Sequence, residues 1–137
     1  MHKTRISVRG YETDALGHLN GTVYLQYAEH SRWSLMHSAG VKQEDLLRNQ
    51  IAPVNLETVI RYVRELKAGE EVNISCELAW GERRSLKVKQ TFYTESGDVA
   101  AEVSSIGGLI DLNTRHLIEN PRECFRNLAD RPEILGL

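Results

Sequence analysis

Five segments of the chain alternate apolar and polar residues, which predicts β-strands because neighbouring side chains of a strand point to opposite faces. They are Lys3 to Arg9, Val54 to Arg64, Glu71 to Trp80, Leu86 to Thr94, and Val99 to Leu112. Turns at 67–69, 80–82 and 96–98 separate the later segments. The short spacing between the last three predicts an antiparallel meander.

The same alternation predicts the side chains that face the core. Those of the first four strands are Ile6, Val8, Val54, Leu56, Ile60, Tyr62, Val72, Ile74, Cys76, Leu78, Trp80, Leu86, Val88 and Phe92. In the last strand, Gly107-Gly108 predicts a β-bulge or a close approach of two backbones.

The segment Thr22 to Ala39 has a helical period instead. Its apolar residues recur at Tyr24, Tyr27, Ala28, Leu35 and Met36. Gly40 follows, as is common after a helix end. Asn20-Gly21 just before it is also a strong signal for a tight hairpin turn, but the alternation stops at Ala28 and favours the helix. Asn20 is then the N-cap and Gly21 the first helical residue, with an unpaired N–H.

Apolar side chains lie on most sides of this predicted helix, so we expect the sheet to wrap it. The chain has 137 residues, which suits one domain. We therefore predict a single α+β domain over residues 1–137, with the order strand, helix, four strands. A second, short helix is predicted where Asn120-Pro121 opens the C-terminal segment, and we assign it no chemistry.

Composition narrows the classes of function. Nineteen acidic and seventeen basic residues give a net charge of −2, which argues against general nucleic-acid binding. No stretch approaches the roughly 18 apolar residues of a membrane span, and we expect a soluble, cytoplasmic protein. Cys76 and Cys124 lack the spacing of a zinc site, so we predict two free thiols.

The stretch TDALGHLNGTVYLQYAEHSRW resembles the signature of the 4-hydroxybenzoyl-CoA thioesterase branch of the hotdog superfamily. The matching residues are Asp14, Gly17, Tyr24, Glu29 and Arg32. The match is closer to the variant with G-H-x-N-N after the aspartate, present here as GHLNG over 17–21. The predicted element order is also that of a hotdog domain.

The resemblance implies thioester hydrolysis, which needs a nucleophile or base at the carbonyl carbon and a donor for the developing oxyanion. Asp14 would supply the first, either as nucleophile or as base on a water. The N–H of Gly21, strengthened by the helix dipole, would supply the second. His18, Asn20 and Glu29 are further candidates, for orienting Asp14, binding substrate or placing the water. Neither a metal nor a redox cofactor is implied.

Each of these residues also has a structural interpretation. An isolated Asp14 would be interpreted as a loop cap, and the surrounding motif favours catalysis instead. His18 is equally suited to bond backbone, and capping of the helix is sufficient to explain Asn20. Glu29 and Arg32 have the i,i+3 spacing of a helix ion pair. Cys76, a conceivable nucleophile, lies on an apolar strand face, which favours a buried packing thiol.

Coenzyme A phosphates require local positive charge on an acidic chain. Arg83, Arg84, Ser85 and Lys87, together with Lys89, form the predicted CoA-binding cluster, in loose resemblance to a basic cluster before a serine in the family. The alternative is a solvated hairpin. Arg61 and Arg64 are other candidates for the phosphates.

The resemblance further implies a homodimer, often paired into tetramers, with the active site at the seam of two subunits. Pairing would also cover an exposed edge of the sheet. The residues and the resemblance together predict an acyl-CoA thioesterase that releases the free acid and CoA. The alternatives are a non-catalytic acyl-CoA-binding module and an enoyl-CoA hydratase or dehydratase.

Overall fold

A computed structural model describes residues 1–137. Its five strands are β1 (His2–Ser7), β2 (Ile51–Tyr62), β3 (Glu71–Trp80), β4 (Leu86–Thr94) and β5 (Val99–Asp111). They form one antiparallel sheet in the order β1-β3-β4-β5-β2. The helices are α1 (Val23–Ser38), α2 (Gln43–Arg48) and α3 (Pro121–Leu128). All five predicted strands are therefore confirmed, with β2 beginning at Ile51 rather than Val54.

Helix α1 begins at Val23, two residues later than predicted, with Thr22 as its N-cap. Asn20 still does the work of a cap, because its Oδ1 accepts the Thr22 N–H at 3.1 Å and its carbonyl accepts the Val23 N–H at 2.9 Å. The helix ends at Ser38, and Gly40 follows with a φ of +90°. That left-handed backbone favours glycine.

One face of α1 is buried against the sheet. Its buried residues are Tyr24, Tyr27, Ala28, Ser31 and Leu35. The other face is uncovered in the single chain, where Leu25, Gln26, Glu29 and His30 are exposed. The sheet therefore covers only one face of α1, and the prediction that it wraps the helix is not confirmed in the single chain.

The core forms two clusters along α1. The cluster at the N-terminal half of the helix packs Tyr24 and Tyr27 on strand residues such as Ile74 and Phe92. The cluster at the C-terminal half packs Leu35 on residues that include Leu109. The fully buried Gln90 ties helix to sheet, since its Nε2 donates to the Ala28 carbonyl at 2.8 Å.

Strand β2 departs from the predicted burial because it is an edge of the sheet. Leu56 and Tyr62 were predicted to face the core, yet they are 52% and 56% exposed. A break in the β2–β5 register between Asn55 and Glu57 leaves Leu56 without a partner. The close approach predicted at Gly107 is confirmed, because a Cβ there would lie 3.0 Å from the Val54 carbonyl oxygen.

The C-terminal segment closes one end of the sheet. Helix α3 starts at Pro121 as predicted and buries Phe125, whose ring lies 5.5 Å from that of Trp80. The Trp80 Nε1 donates to the Leu135 carbonyl at 2.7 Å. The short helix α2 was not predicted, because six residues with one buried side chain, Leu46, carry no readable period. No helix has the length and apolar character needed to cross a membrane.

Tyr27 and Glu12 join α1 to the segment that leaves β1. The Tyr27 hydroxyl donates to Glu12 Oε1 at 2.6 Å, and the Arg9 N–H donates to the same oxygen at 3.1 Å. Burial by itself would raise the pKa of Glu12, but the bonds from Tyr27 and Arg9 outweigh it, so the pKa lies below its usual range. Burial and the bond to Glu12 raise the pKa of Tyr27.

Removing this hydroxyl should destabilise the fold measurably. We expect Tyr27→Phe to lower the free energy of unfolding by about 1–2 kcal/mol at neutral pH, because a hydrogen bond to a half-buried carboxylate is lost. The folded pKa of Glu12 is depressed, so the contribution is full above the usual carboxyl range and is lost as the pH falls through the folded pKa. Urea unfolding at pH 7 and pH 3.5 measures both effects.

The matched control is Tyr11→Phe, because Tyr11 is 85% exposed. It should leave the unfolding midpoint unchanged at both pH values. A Tyr27→Phe variant as stable as this control at pH 7 would contradict the assignment.

Candidate functional site

The residues between β1 and α1 form a tight hairpin at Asp14 to His18. The Asp14 N–H donates to the His18 carbonyl at 2.8 Å, and the Gly17 N–H donates back to the Asp14 carbonyl at 3.0 Å. Thr13 pairs with Leu19 on the next rung. Gly17 has a φ of +77°, where a side chain would strain the backbone. A hairpin turn thus exists over residues 14–18, ahead of the Asn20-Gly21 pair that is itself a hairpin signal.

Asp14 is exposed, and its carboxylate is half engaged. Oδ1 accepts the N–H groups of Leu16 at 2.9 Å and His18 at 3.2 Å, which stabilises the turn. The other carboxylate oxygen accepts no hydrogen bond within the chain. Asp14 therefore caps the loop through one oxygen and leaves the other oxygen unbonded.

Backbone bonds anchor this loop on two sides. The Leu19 N–H donates to the Leu66 carbonyl at 2.6 Å, on the connection between β2 and β3. The Asn20 N–H donates to the Glu12 carbonyl at 2.9 Å. His18 is half-buried, and its Nε2 lies 3.9 Å from Glu65 Oε1 rather than on Asp14. The predicted orienting contact between His18 and Asp14 is thus a backbone bond, not a side-chain bond.

Gly21 lies at the entrance to α1, and its N–H donates no hydrogen bond within the chain. Its carbonyl accepts the Tyr62 hydroxyl at 3.0 Å. Gly21 lies two residues before Val23, the first residue of α1, so its N–H is outside the helix and not on the first helical residue as predicted. The free donor is nevertheless on the same loop as Asp14, next to the positive end of the helix dipole.

Glu29 and Arg32 do not form the ion pair that their spacing allows. Glu29 is exposed on α1, whereas the half-buried Arg32 donates through Nη1 to Gln90 Oε1 at 3.2 Å. Burial lowers the pKa of Arg32, and the nearby charge of Glu29 partly offsets this. Glu29 thus lies about two turns beyond the residues of the loop, exposed to solvent in the single chain.

Cys76 is a packing thiol, as predicted. It is 3% exposed, and burial raises its pKa to about 12, so the thiolate is scarce at neutral pH. Arg32 only partly opposes that shift. No three His, Cys, Asp or Glu side chains converge as a metal site would require.

The predicted CoA cluster lies far from Asp14 within one chain. Residues 83–85 are exposed at the turn that joins β3 to β4, and Lys87 is exposed near the start of β4. The start of β3 lies near the loop, since Ser7 of β1 pairs with Glu71. Ten strand residues span about 30 Å, so this turn is at the opposite end of the sheet. Arg84 is also already paired, with Glu119 Oε1 at 2.6 Å.

An apolar pocket opens between the C-terminal half of α1 and the sheet. It is lined by Arg32, Leu35, Met36, Pro53, Val54, Asn55, Leu78, Trp80, Leu86, Val88, Gly107, Gly108 and Phe125. Arg32 is its one charged side chain and lies about 14 Å along the helix from Val23. A wider surface depression, around Glu65 and Glu70, has no apolar lining residue and is less suited to an acyl chain.

Three residues in this region make hydrogen bonds that the sequence did not predict. Glu12 bonds Tyr27 fifteen positions away, and Gln90 joins Arg32 to the Ala28 carbonyl. Tyr62, predicted as a core residue, instead reaches the Gly21 carbonyl. Each contact joins segments distant in sequence, which periodicity cannot reveal.

Comparisons with known proteins agree with this architecture. The thioesterase-like superfamily matches residues 8–133. The long-chain acyl-CoA thioesterase FadM of Escherichia coli (strain K12) is 30% identical over 114 residues, covering 82% of this chain and 86% of that protein. A solved Staphylococcus aureus structure, the hypothetical protein SAV2348 in complex with CoA, superimposes with a TM-score of 0.83 at 18% identity, over 92% of this chain and 79% of that one. That likeness shows the fold alone.

Plant proteins match a shorter part. The chloroplastic acyl-acyl carrier protein thioesterase ATL3 of Arabidopsis thaliana is 26% identical over 78 residues, 57% of this chain. The match spans 41% of the length of that protein, and 36% of the length of the related ATL2. The superfamily match covers nearly the whole chain, and the order of one strand, helix α1 and four further strands is that of a hotdog domain. This chain therefore belongs to the thioesterase-like superfamily of hotdog proteins.

Proposed function

We propose that this protein hydrolyses an acyl-CoA to the free carboxylic acid and CoA. The observation that carries the proposal is the loop over 13–22, which presents an unbonded carboxylate oxygen of Asp14 and the unbonded N–H of Gly21 at the start of α1. A carboxylate and an oxyanion donor are the two groups that thioester hydrolysis needs. The names of the FadM and ATL3 relatives support the reaction class.

In this mechanism the thioester carbonyl oxygen accepts the Gly21 N–H. Asp14 either attacks the carbonyl carbon, giving an anhydride that water then cleaves, or removes a proton from an attacking water. The carbon–sulfur bond breaks, and the CoA thiolate leaves and takes up a proton. The positive end of α1 stabilises the negative charge that develops on the oxygen.

The other predicted residues have supporting roles in this proposal. Asn20 holds the Thr22 N–H and so shapes the entrance to the helix. The His18 N–H fixes Asp14 Oδ1, which orients the carboxylate. Glu29, exposed on α1, would place the water or a polar group of the substrate.

The apolar pocket beside Arg32 has largely hydrophobic walls, and its volume of about 70 Å³ would hold only the end of an acyl chain. It begins well along α1 from the loop, so a chain that fills it must be long. We therefore propose a preference for long acyl groups over short ones. The word "long-chain" in the name of FadM supports this preference.

We further propose a homodimer, or a pair of dimers, formed at β2. This strand is an outer edge of the sheet and exposes Leu56, Val59 and Tyr62, and Val63 is exposed just after it. Unpaired edges that carry apolar side chains favour pairing with another strand. A partner would cover the exposed face of α1, so that sheet wraps helix as the sequence predicts. It would also bring the basic cluster of one subunit, Arg83 to Lys87, toward the substrate of the other.

A second candidate function is a module that binds acyl-CoA without cleaving it. The two N–H bonds to Asp14 Oδ1 favour it, because they explain the aspartate by loop stability alone. Turnover separates the two candidates.

Asp14→Asn tests catalysis with little change in shape, since the amide oxygen can still accept the Leu16 and His18 N–H groups. We expect the release of free thiol from acyl-CoAs to fall at least about 100-fold, because the carboxylate base or nucleophile is lost. Purified protein is assayed with short, long and aromatic acyl-CoAs.

Asp111→Asn is the matched control. Its Oδ1 likewise accepts two backbone N–H groups, from Asn113 at 2.8 Å and Thr114 at 3.2 Å, in a distant loop. It should retain full activity. If the wild-type protein binds acyl-CoA but releases no thiol from any short, long or aromatic acyl-CoA, the binding module is favoured instead.

The thiols provide a test against a cysteine mechanism. Burial raises the pKa of Cys76 to about 12 and also raises that of Cys124, which is less buried. We expect a disulfide reagent at pH 8 to label at most one thiol in the folded protein and two after denaturation. Cys76→Ala should keep thioesterase activity, and a loss of 100-fold in a folded variant would contradict the role given to Asp14.

A positive charge placed on β2 tests whether this edge forms the dimer interface. We expect Val59→Lys to shift the protein toward the monomer in light scattering with size exclusion, because a lysine on a paired edge is disfavoured. Leu47→Lys, which adds the same charge at an exposed leucine of α2, should leave the assembly unchanged. Equal masses for both variants and wild type would place the interface elsewhere.

A further inference from the structure

Tyr62 lies at the last position of β2, beside the N-terminus of α1. Its ring packs edge-on against that of Tyr24, with centroids 5.0 Å apart and an interplanar angle of 87°. Its hydroxyl donates to the Gly21 carbonyl at 3.0 Å. A tyrosine of the sheet edge thus contacts the residue that carries the proposed oxyanion donor.

Gly21 lies between two peptide groups, and three of their four polar atoms are bonded. In the first group, the Asn20 carbonyl accepts the Val23 N–H at 2.9 Å. In the second, the Thr22 N–H donates to Asn20 Oδ1 at 3.1 Å, and the Gly21 carbonyl accepts Tyr62. Only the Gly21 N–H remains free. Because both peptide planes are held, the direction of this N–H is fixed.

Two of these bonds arise within residues 20–23 and belong to the turn itself. The bond from Tyr62 is the one that comes from another element. Glycine has the widest backbone freedom of any residue, so a tie from outside the turn restricts it most. A donor that is already oriented stabilises a developing oxyanion without reorganisation.

We propose that Tyr62 is a positioning residue, which holds the Gly21 peptide so that its N–H points at the thioester oxygen. Tyr62 acts through the backbone of Gly21 and need not touch the reacting atoms. The inference deepens the proposed thioesterase function and rests on it.

The test is Tyr62→Phe, which removes the hydroxyl and keeps the ring against Tyr24. We expect kcat for the best acyl-CoA to fall about tenfold, less than the 10²–10³-fold typical of losing a donor outright. KM should stay within about twofold, because the donor matters most when charge develops on the oxygen. The control is Tyr93→Phe on β4, outside this loop, which should leave kcat unchanged.

A second variant separates positioning from a general structural role. Gly21→Ala keeps the N–H and narrows the backbone freedom, and its Cβ would lie in ordinary contact, 3.5 Å from the Tyr62 hydroxyl oxygen. If Tyr62 acts through Gly21, then Tyr62→Phe should cost less than about threefold in the Gly21→Ala background.

Three results would overturn the role of Tyr62, and a fourth would overturn the proposed function as well. A Tyr62→Phe variant with the kcat of Tyr93→Phe overturns the inference and leaves the proposed function standing, provided that Asp14→Asn is inactive. A loss confined to KM, or an equal loss with and without Gly21→Ala, also overturns it. Wild type without thiol release overturns the proposed function and this inference together.

Discussion

The packing of one face of α1 on the sheet is the constraint on which the rest of the structure depends. Tyr24, Tyr27 and Leu35 fill the space between helix and strands. Burial of this apolar surface fixes where the helix begins, and so where its unpaired N–H groups lie. The loop that carries Asp14 must then connect β1 to that fixed point.

Polar contacts refine what the apolar packing establishes. Gln90 donates to the Ala28 carbonyl and accepts from Arg32, so both polar atoms of this fully buried side-chain amide are bonded. The bond between Tyr27 and Glu12 attaches the start of the loop to the helix, and the bond from Leu19 to Leu66 attaches its later part to the connection between β2 and β3. The proposed reaction therefore takes place on a loop held at both ends, although the loop itself is exposed.

The single chain also shows what it leaves incomplete. Asp14 is open to solvent, the outer face of α1 is uncovered, and the basic cluster lies at the far end of β3. In the proposed dimer, a partner paired at β2 would cover Asp14 and the outer face of α1, and its basic cluster would lie toward the substrate. This agreement is the physical argument for an assembly in which each site draws on two subunits.

The five strands, a helix after the first strand and the loop that joins the two were predictable from the chain's own pattern, because these follow from local period and local capping. The alternation around Val72, Ile74 and Phe92 was sufficient to place the core faces of the inner strands, which are buried as predicted. The motif from Asp14 to Gly21 lies within eight consecutive residues, so its placement at the helix entrance was also predictable.

The contacts between residues distant in sequence were set by the folded arrangement. It exposed Leu56 and Tyr62, because β2 became an edge, paired Arg32 with Gln90 rather than Glu29, and brought Tyr62 to Gly21 across 41 positions. Such contacts depend on the order of strands in the sheet, which no local pattern encodes.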